Sequence, residues 1–174
     1  NSVNYDSFKI IENLKKKFKF KIHSAHEKKR GVVNARNRCL KISKKINCDY
    51  IAFFDDDCVI DKYWFRNVIK VIEEYKVNIL TGPQLYINNY KKKENLGELF
   101  EKKVKKKLSK VSWAATNNVI FKKSILSKTN IYFDKNLNKF GMGEDQLFFS
   151  KLNKKGQDII WANNIKVYEK LHSH

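Results

Sequence analysis

The sequence predicts an α/β fold, and three observations carry that prediction. Stretches of helical periodicity alternate with short apolar runs of strand character. One such run, Tyr50-Ile51-Ala52-Phe53-Phe54, leads directly into three consecutive aspartates, and a second acidic pair, Glu144-Asp145, follows two glycines at the start of a helical stretch. Alternating helices and strands build a sheet covered by helices, and in open sheets of this class ligands gather at the carboxyl ends of the strands.

Taken in order, Phe8, Ile11 and Leu14 recur at helical spacing, and Phe18, Phe20 and Ile22 then alternate with polar residues as in a strand. After Gly31, the positions Val32, Ala35, Cys39, Ile42 and Ile46 mark an amphipathic helix, with Cys39 expected on its packed face. Tyr50 to Phe54 reads as a short buried strand. Asp61 is placed to cap a helix from Lys62 to Tyr75. Val77 to Leu80 reads as a strand closed by the Gly82-Pro83 turn. Asn88 to Lys110 is lysine-rich with sparse apolar residues, the pattern of an exposed helix. Trp113 to Phe121 is strand-like, a loop through Phe133 and Phe140 reaches Gly141-Met142-Gly143, and Glu144 to Lys155 is helical. Ile159 to Ala162 and Ile165 to Tyr168 are the last strands.

With 174 residues, 42% of them hydrophobic, the chain can close one substantial core, so residues 1–174 are expected to form one domain. No stretch reaches the roughly 20 apolar residues of a membrane span, and the first residues lack the layout of a signal peptide, which makes the cytoplasm the expected location. Cys39, Cys48 and Cys58 are odd in number and form no CxxC pair, against both a disulfide framework and a thiolate zinc site. The net charge of +19 points to an anionic partner. Its source is almost wholly lysine, however, and specific phosphate and base reading leans on arginine, so no specific nucleic acid is expected. The runs Lys15–Lys17, Lys91–Lys93 and Lys105–Lys107 read as solvated faces, with peripheral contact to anionic lipid left open.

The chemistry concentrates in the two acidic motifs. Carboxylates about 5 Å apart repel by roughly 3 kcal/mol at an effective dielectric near 20, so Asp55-Asp56-Asp57 at the end of a buried strand favours a cation between them. Hard oxygen ligands suit Mg²⁺ or Mn²⁺, which usually also take oxygens from a substrate phosphate; a nucleoside diphosphate is the natural complement. The plainer reading is a solvated acidic turn. Glu144-Asp145 similarly reads either as favourable first-turn helix chemistry or as a carboxylate brought to an acceptor hydroxyl as a general base.

RGVVNARN (Arg30 to Asn37), YIAFFDDDC with the following Trp64, TNNVIFKKS (Thr116 to Ser124), FDKNL with FGMGEDQLFFSKLNKKG (Phe133 to Gly156), and VYEKLH occur in this order along nearly the whole chain. In that succession the sequence resembles a family 2 glycosyltransferase of the GT-A fold, a mixed Rossmann-like sheet flanked by helices. The resemblance implies transfer of a sugar from a nucleotide-sugar donor to a saccharide or glycolipid hydroxyl, usually with inversion and often in bacterial surface polysaccharide or lipopolysaccharide synthesis. It places Asp55 and Asp57 at the ends of the DxD motif that binds Mn²⁺ or Mg²⁺ and the donor diphosphate, with Asp56 between them as a further donor contact. It makes Asp145 the catalytic base and gives Glu144 a role in placing the acceptor or orienting that base. Arg36 and Asn37 would flank the donor pocket, or else anchor their helix on the sheet. Asn118 would lie near donor sugar and acceptor, and Trp64 in the core.

The family normally opens with two strands before this region, so the chain is expected to be N-terminally truncated with an open sheet edge. His172 and His174 are candidates to complete the metal shell, against the simpler reading of a frayed terminus. The cytoplasmic face of the inner membrane suits a glycolipid acceptor. Two other functions remain: a basic nucleic-acid-binding protein, which predicts metal-free, steeply salt-dependent binding, and a nucleotidyltransferase, which would release pyrophosphate rather than a nucleoside diphosphate.

Overall fold

A computed structural model describes residues 6–87, 108–140 and 142–170. Its elements run α1 (Asp6–Lys17), α2 (Val32–Lys45), β1 (Tyr50–Phe53), β2 (Cys58–Ile60), α3 (Trp64–Tyr75), β3 (Ile79–Thr81), β4 (Gln84–Ile87), β5 (Leu108–Val111), β6 (Val119–Lys122), α4 (Ser124–Thr129), a 3-10 turn (Lys135–Lys139), α5 (Glu144–Lys154), β7 (Ile159–Ala162) and β8 (Val167–Lys170). The larger sheet has the order β1-β6-β3-β7-β5, with only β3 and β7 parallel. The smaller has the order β2-β8-β4.

Side-chain alternation along β6 divides the core. Val119 and Phe121 face a cluster with Val33 and Leu40 of α2 and Phe148, Phe149 and Leu152 of α5. Ile120 faces the opposite cluster, with Trp64, Val68 and Val71 of α3, Ile165 just before β8 and Val167 within it. A strand with period-two side chains can supply both layers in this way. The helices α2 and α5, which carry the ARN segment and the second acidic pair, therefore lie on one face of the sheet.

Several elements depart from the sequence reading. Phe18 to Ile22 forms no strand; none of the described strands pairs with it, and Phe18 stacks on Phe20 at 5.0 Å instead. The packed stripe of α2 is Val33, Asn37 and Leu40, one position away from the expected one, and Cys39 is exposed. The displacement arises because Asn37 is buried as a polar member of the stripe, its amide satisfied by the backbone of Phe133. β1 is an edge strand of the described sheet, and Ile51 alone among its residues is buried. The short strands β2 and β4 went unanticipated: Gly82-Pro83 does not end the sheet region but passes the chain from β3 into β4 of the smaller sheet. Leu108 to Lys110, expected in an exposed helix, belong to β5. The remainder of that expected helix, both lysine runs within it, Gly141, His172 and His174 lie outside the described residues. All three cysteines are free. No described helix is long and apolar enough to cross a membrane.

Candidate active site

The aspartates occupy the turn joining β1 to β2, where the Cys58 amide donates to the Asp55 carbonyl at 3.3 Å. Asp56, at the apex, is exposed, whereas Asp55 and Asp57 are half-buried. Burial raises the Asp55 carboxyl above the ordinary carboxylate range; the nearby Arg36 guanidinium opposes the rise, and the charges of Asp57 and Asp145 add to it. Asp145 thus acts electrostatically on the DDD turn from the other acidic motif.

Arg36 joins the two motifs physically. Its guanidinium lies 3.5 Å from Asp55 Oδ1 and pairs with Glu144 Oε1, and it sits 5.8 Å from the centre of the Phe133 ring. Sequence separation hides this contact: Arg36 lies in the first half of α2 while Glu144 opens α5. Glycine geometry makes the approach feasible at both ends. Gly31 precedes α2 with φ of 111°, and a Cβ there would fall within 2.2 Å of the Asn138 side chain, which donates to the Arg30 carbonyl. Gly143 caps α5 with φ of 82°, a left-handed conformation that turns the chain into the helix.

At the start of α5, Glu144 is buried and its second oxygen, Oε2, has no hydrogen-bond partner among the described residues. Asp145 Oδ2 accepts from the Thr116 amide at 3.4 Å, and its Oδ1 accepts from the Gln146 amide at 2.7 Å. Helix N-terminal amides and dipole favour both acids. Thr116, missed in the sequence, is the residue through which the TNN segment touches Asp145.

The two asparagines named from the sequence have different surroundings from the acids. Asn118 is 1% exposed; it accepts from Trp64 Nε1 at 2.9 Å and donates to the carbonyls of Pro83 at 3.0 Å and Ile165 at 2.8 Å. Those bonds tie β6, α3 and the junction between the sheets together. Asn37 exchanges two bonds with the Phe133 backbone, at 2.9 and 3.0 Å. Both amides are committed to the framework beneath the acidic groups.

A further acidic residue comes from β8. Cys58, Glu169 and Tyr86 stand in register across β2, β8 and β4. Burial, with the charges of Asp55, Asp57 and Glu169, pushes the Cys58 thiol up to about 11. The Tyr86 phenol is raised by burial and by Glu169 and Asp57. Glu169 belongs to the VYE segment, but only the pairing of two unanticipated strands reveals its position. Among the described residues, no three His, Cys, Asp or Glu side chains form a ready-made metal cage. The residues that could hold a cation are instead a pair of half-buried carboxylates, Asp55 and Asp57. That fits a hard cation which keeps waters and takes phosphate oxygens.

Residues 1–155 match the family described as glycosyl transferase family 2. The chain belongs to that family. It has the GT-A fold, as do its structural neighbours. A structure of S. aureus TarS 1-349 in complex with UDP-GlcNAc superimposes with a TM-score of 0.72 at 19% identity, covering 99% of this chain and 48% of TarS 1-349. The corresponding UDP complex gives 0.70 at 20% identity, covering 98% and 48%. A197 from STIV gives 0.59 at 18% identity, covering 94% of this chain and 78% of its own. The family 2 chain thus spans about half the length of the TarS 1-349 structures. No curated protein sequence matches it.

Proposed function

We propose that this family 2 chain carries the donor and base groups of an inverting glycosyltransferase, which moves a sugar from a nucleoside-diphosphate sugar to a hydroxyl acceptor. The observation that supports this reading best is the Arg36 bridge from Asp55 to Glu144, which brings the DDD turn and the base-bearing helix to one place. Asp55 and Asp57 would hold Mn²⁺ or Mg²⁺ with the donor diphosphate, and the exposed Asp56 is available to the donor's ribose. When bound, the ion supplies charge neutralisation to the departing diphosphate.

Asp145 receives the proton of the acceptor hydroxyl. The acceptor oxygen forms its bond to the anomeric carbon as the bond from that carbon to the diphosphate oxygen breaks, and the nucleoside diphosphate leaves with the electron pair. Glu144, fixed by Arg36, holds the start of α5 so that Asp145 keeps its orientation. Asn37 and Asn118 support the site as framework. UDP-GlcNAc is the first donor to test, because a similar structure contains it. A saccharide or glycolipid acceptor in bacterial surface polysaccharide or lipopolysaccharide synthesis, at the cytoplasmic face of the membrane, completes the reading.

The test is product analysis with UDP-, GDP- and dTDP-sugars, with and without Mn²⁺. Release of nucleoside diphosphate with inverted linkage to the acceptor is expected. Pyrophosphate release would instead establish nucleotidyl transfer, and a retained anomeric configuration would overturn the single displacement.

A further inference from the structure

Between α5 and the segment leaving β5 lies a cleft of about 870 Å³, in the size range of small-molecule sites. Ser150 of α5 donates to the Ser112 carbonyl at 3.4 Å along its wall. The lining continues through Ala114, Ala115 and Asn117, on both sides of Thr116, whose amide contacts Asp145. The lining therefore flanks the residue whose amide reaches the group assigned as base. Thr116 Oγ1, at that end, is buried without a hydrogen-bond partner among the described residues.

Two features specify the occupant. Trp113 lines the cleft and is 44% exposed, although an indole in a monomeric protein usually buries most of its surface. Trp161, also in the lining, is buried and its indole N–H donates to Asn163, so it forms wall rather than platform. The second feature is charge. In a chain with a net charge of +19, the charged residues lining the cleft among those described are Lys110 and Asp158, and they pair with each other at 2.6 Å. The remaining polar lining is supplied largely by the amides of Gln84, Asn117 and Asn153, of which Asn117 Nδ2 donates to Gln84 Oε1 and Asn153 Nδ2 to the Gln157 carbonyl. Amides both donate and accept, as hydroxyls require, whereas an anionic ligand would need an unpaired cation.

We propose that this cleft binds the acceptor as a neutral saccharide, with one face of a pyranose ring against the Trp113 indole. The π face of an indole is electron-rich and attracts the polarised C–H bonds that line one side of such a ring. The assignment as acceptor rests on the glycosyl-transfer reading above. The binding chemistry does not.

Saturation-transfer NMR on the protein, with the methyl glycosides of glucose, galactose and N-acetylglucosamine, glucose 6-phosphate and uridine as probes, separates the two. At least one neutral glycoside should show transfer to the protons of one ring face, abolished in Trp113→Ala and retained in Trp113→Phe. In turnover, Trp113→Ala should raise the acceptor KM about tenfold or more, a larger change than it makes in kcat. Glycoside binding indifferent to Trp113, no neutral glycoside bound, tighter binding of glucose 6-phosphate, or uridine occupying the site would each overturn the proposal. Trp113-dependent glycoside binding without nucleoside diphosphate release from any donor would uphold the saccharide site and defeat the transfer reaction.

Discussion

The turn at Asp55–Asp57 and the helix start at Glu144–Asp145 carry carboxylates in opposite electrostatic circumstances. The turn follows an edge strand, exposes Asp56, and leaves Asp55 raised by burial and by its acidic neighbours despite Arg36. The helix start is better furnished: Arg36 pairs with Glu144, the Thr116 and Gln146 amides reach Asp145, and the helix dipole favours both. A turn whose acids stay half-buried or exposed suits capture of a cation and its phosphate. A region whose acids are already held suits a base that must keep one orientation.

The most severe break in this contrast is Asp145→Asn. Loss of a positioned base is expected to reduce transfer by roughly 10²–10⁴-fold with nucleotide-sugar binding intact, measured by turnover alongside calorimetric donor titration. If donor affinity falls in parallel, Asp145 belongs to the donor side and the division of roles fails. Arg36→Gln addresses what joins the two regions. It would leave Glu144 buried without its cation, and a cost of roughly 3 kcal/mol is expected in urea unfolding. Adding Glu144→Gln should restore much of that loss; additive effects would show that the pair is not coupled.

The contrast was only partly legible in the sequence. Tyr50–Phe53, Glu144–Lys154 and Ile159–Ala162 were readable because strand runs and helical periodicity survive wherever one face meets the core. Both acidic motifs stood out by composition and order. The Arg36 bridge did not, since its partners are 19 and 108 positions away and only the packing of α2 against α5 brings them together. Asn37 misled the reading of α2, because a buried amide satisfied by Phe133 breaks an apolar stripe without breaking the packing. Neither β2 nor β4 buries a described residue, so no core-facing stripe marks them, and Glu169 and Tyr86 could not be placed beside Cys58 before their register was known.

Asp57→Asn sharpens the contrast from the turn. It is expected to weaken metal-supported donor binding by roughly 10- to 100-fold, the scale typical of groups around a metal, while metal-free thermal stability changes little. Thermal shift with and without Mn²⁺ separates these effects. An unchanged Mn²⁺ titration in the variant would remove Asp57 from the ion's surroundings.

The smallest effect is expected from the support of the second region. Asp134 Oδ1 accepts from the Asn136 amide at 3.0 Å, opening the 3-10 turn before α5, and its Oδ2 receives Lys151 of α5 at 3.4 Å. The amide bond first, and then the lysine, lower the Asp134 carboxyl below its ordinary range. A lowered folded-state value means that this contribution is complete above the unfolded-state value and disappears as pH falls through the folded one. Asp134→Ala should therefore reduce the melting temperature slightly near neutrality, and the difference from wild type should close in acid below the ordinary carboxylate range. Because the bond anchors the approach to α5 and not the DDD turn, the variant should disturb kcat more than donor KM. An equal loss in both would mean that the two regions share a support here as well as at Arg36.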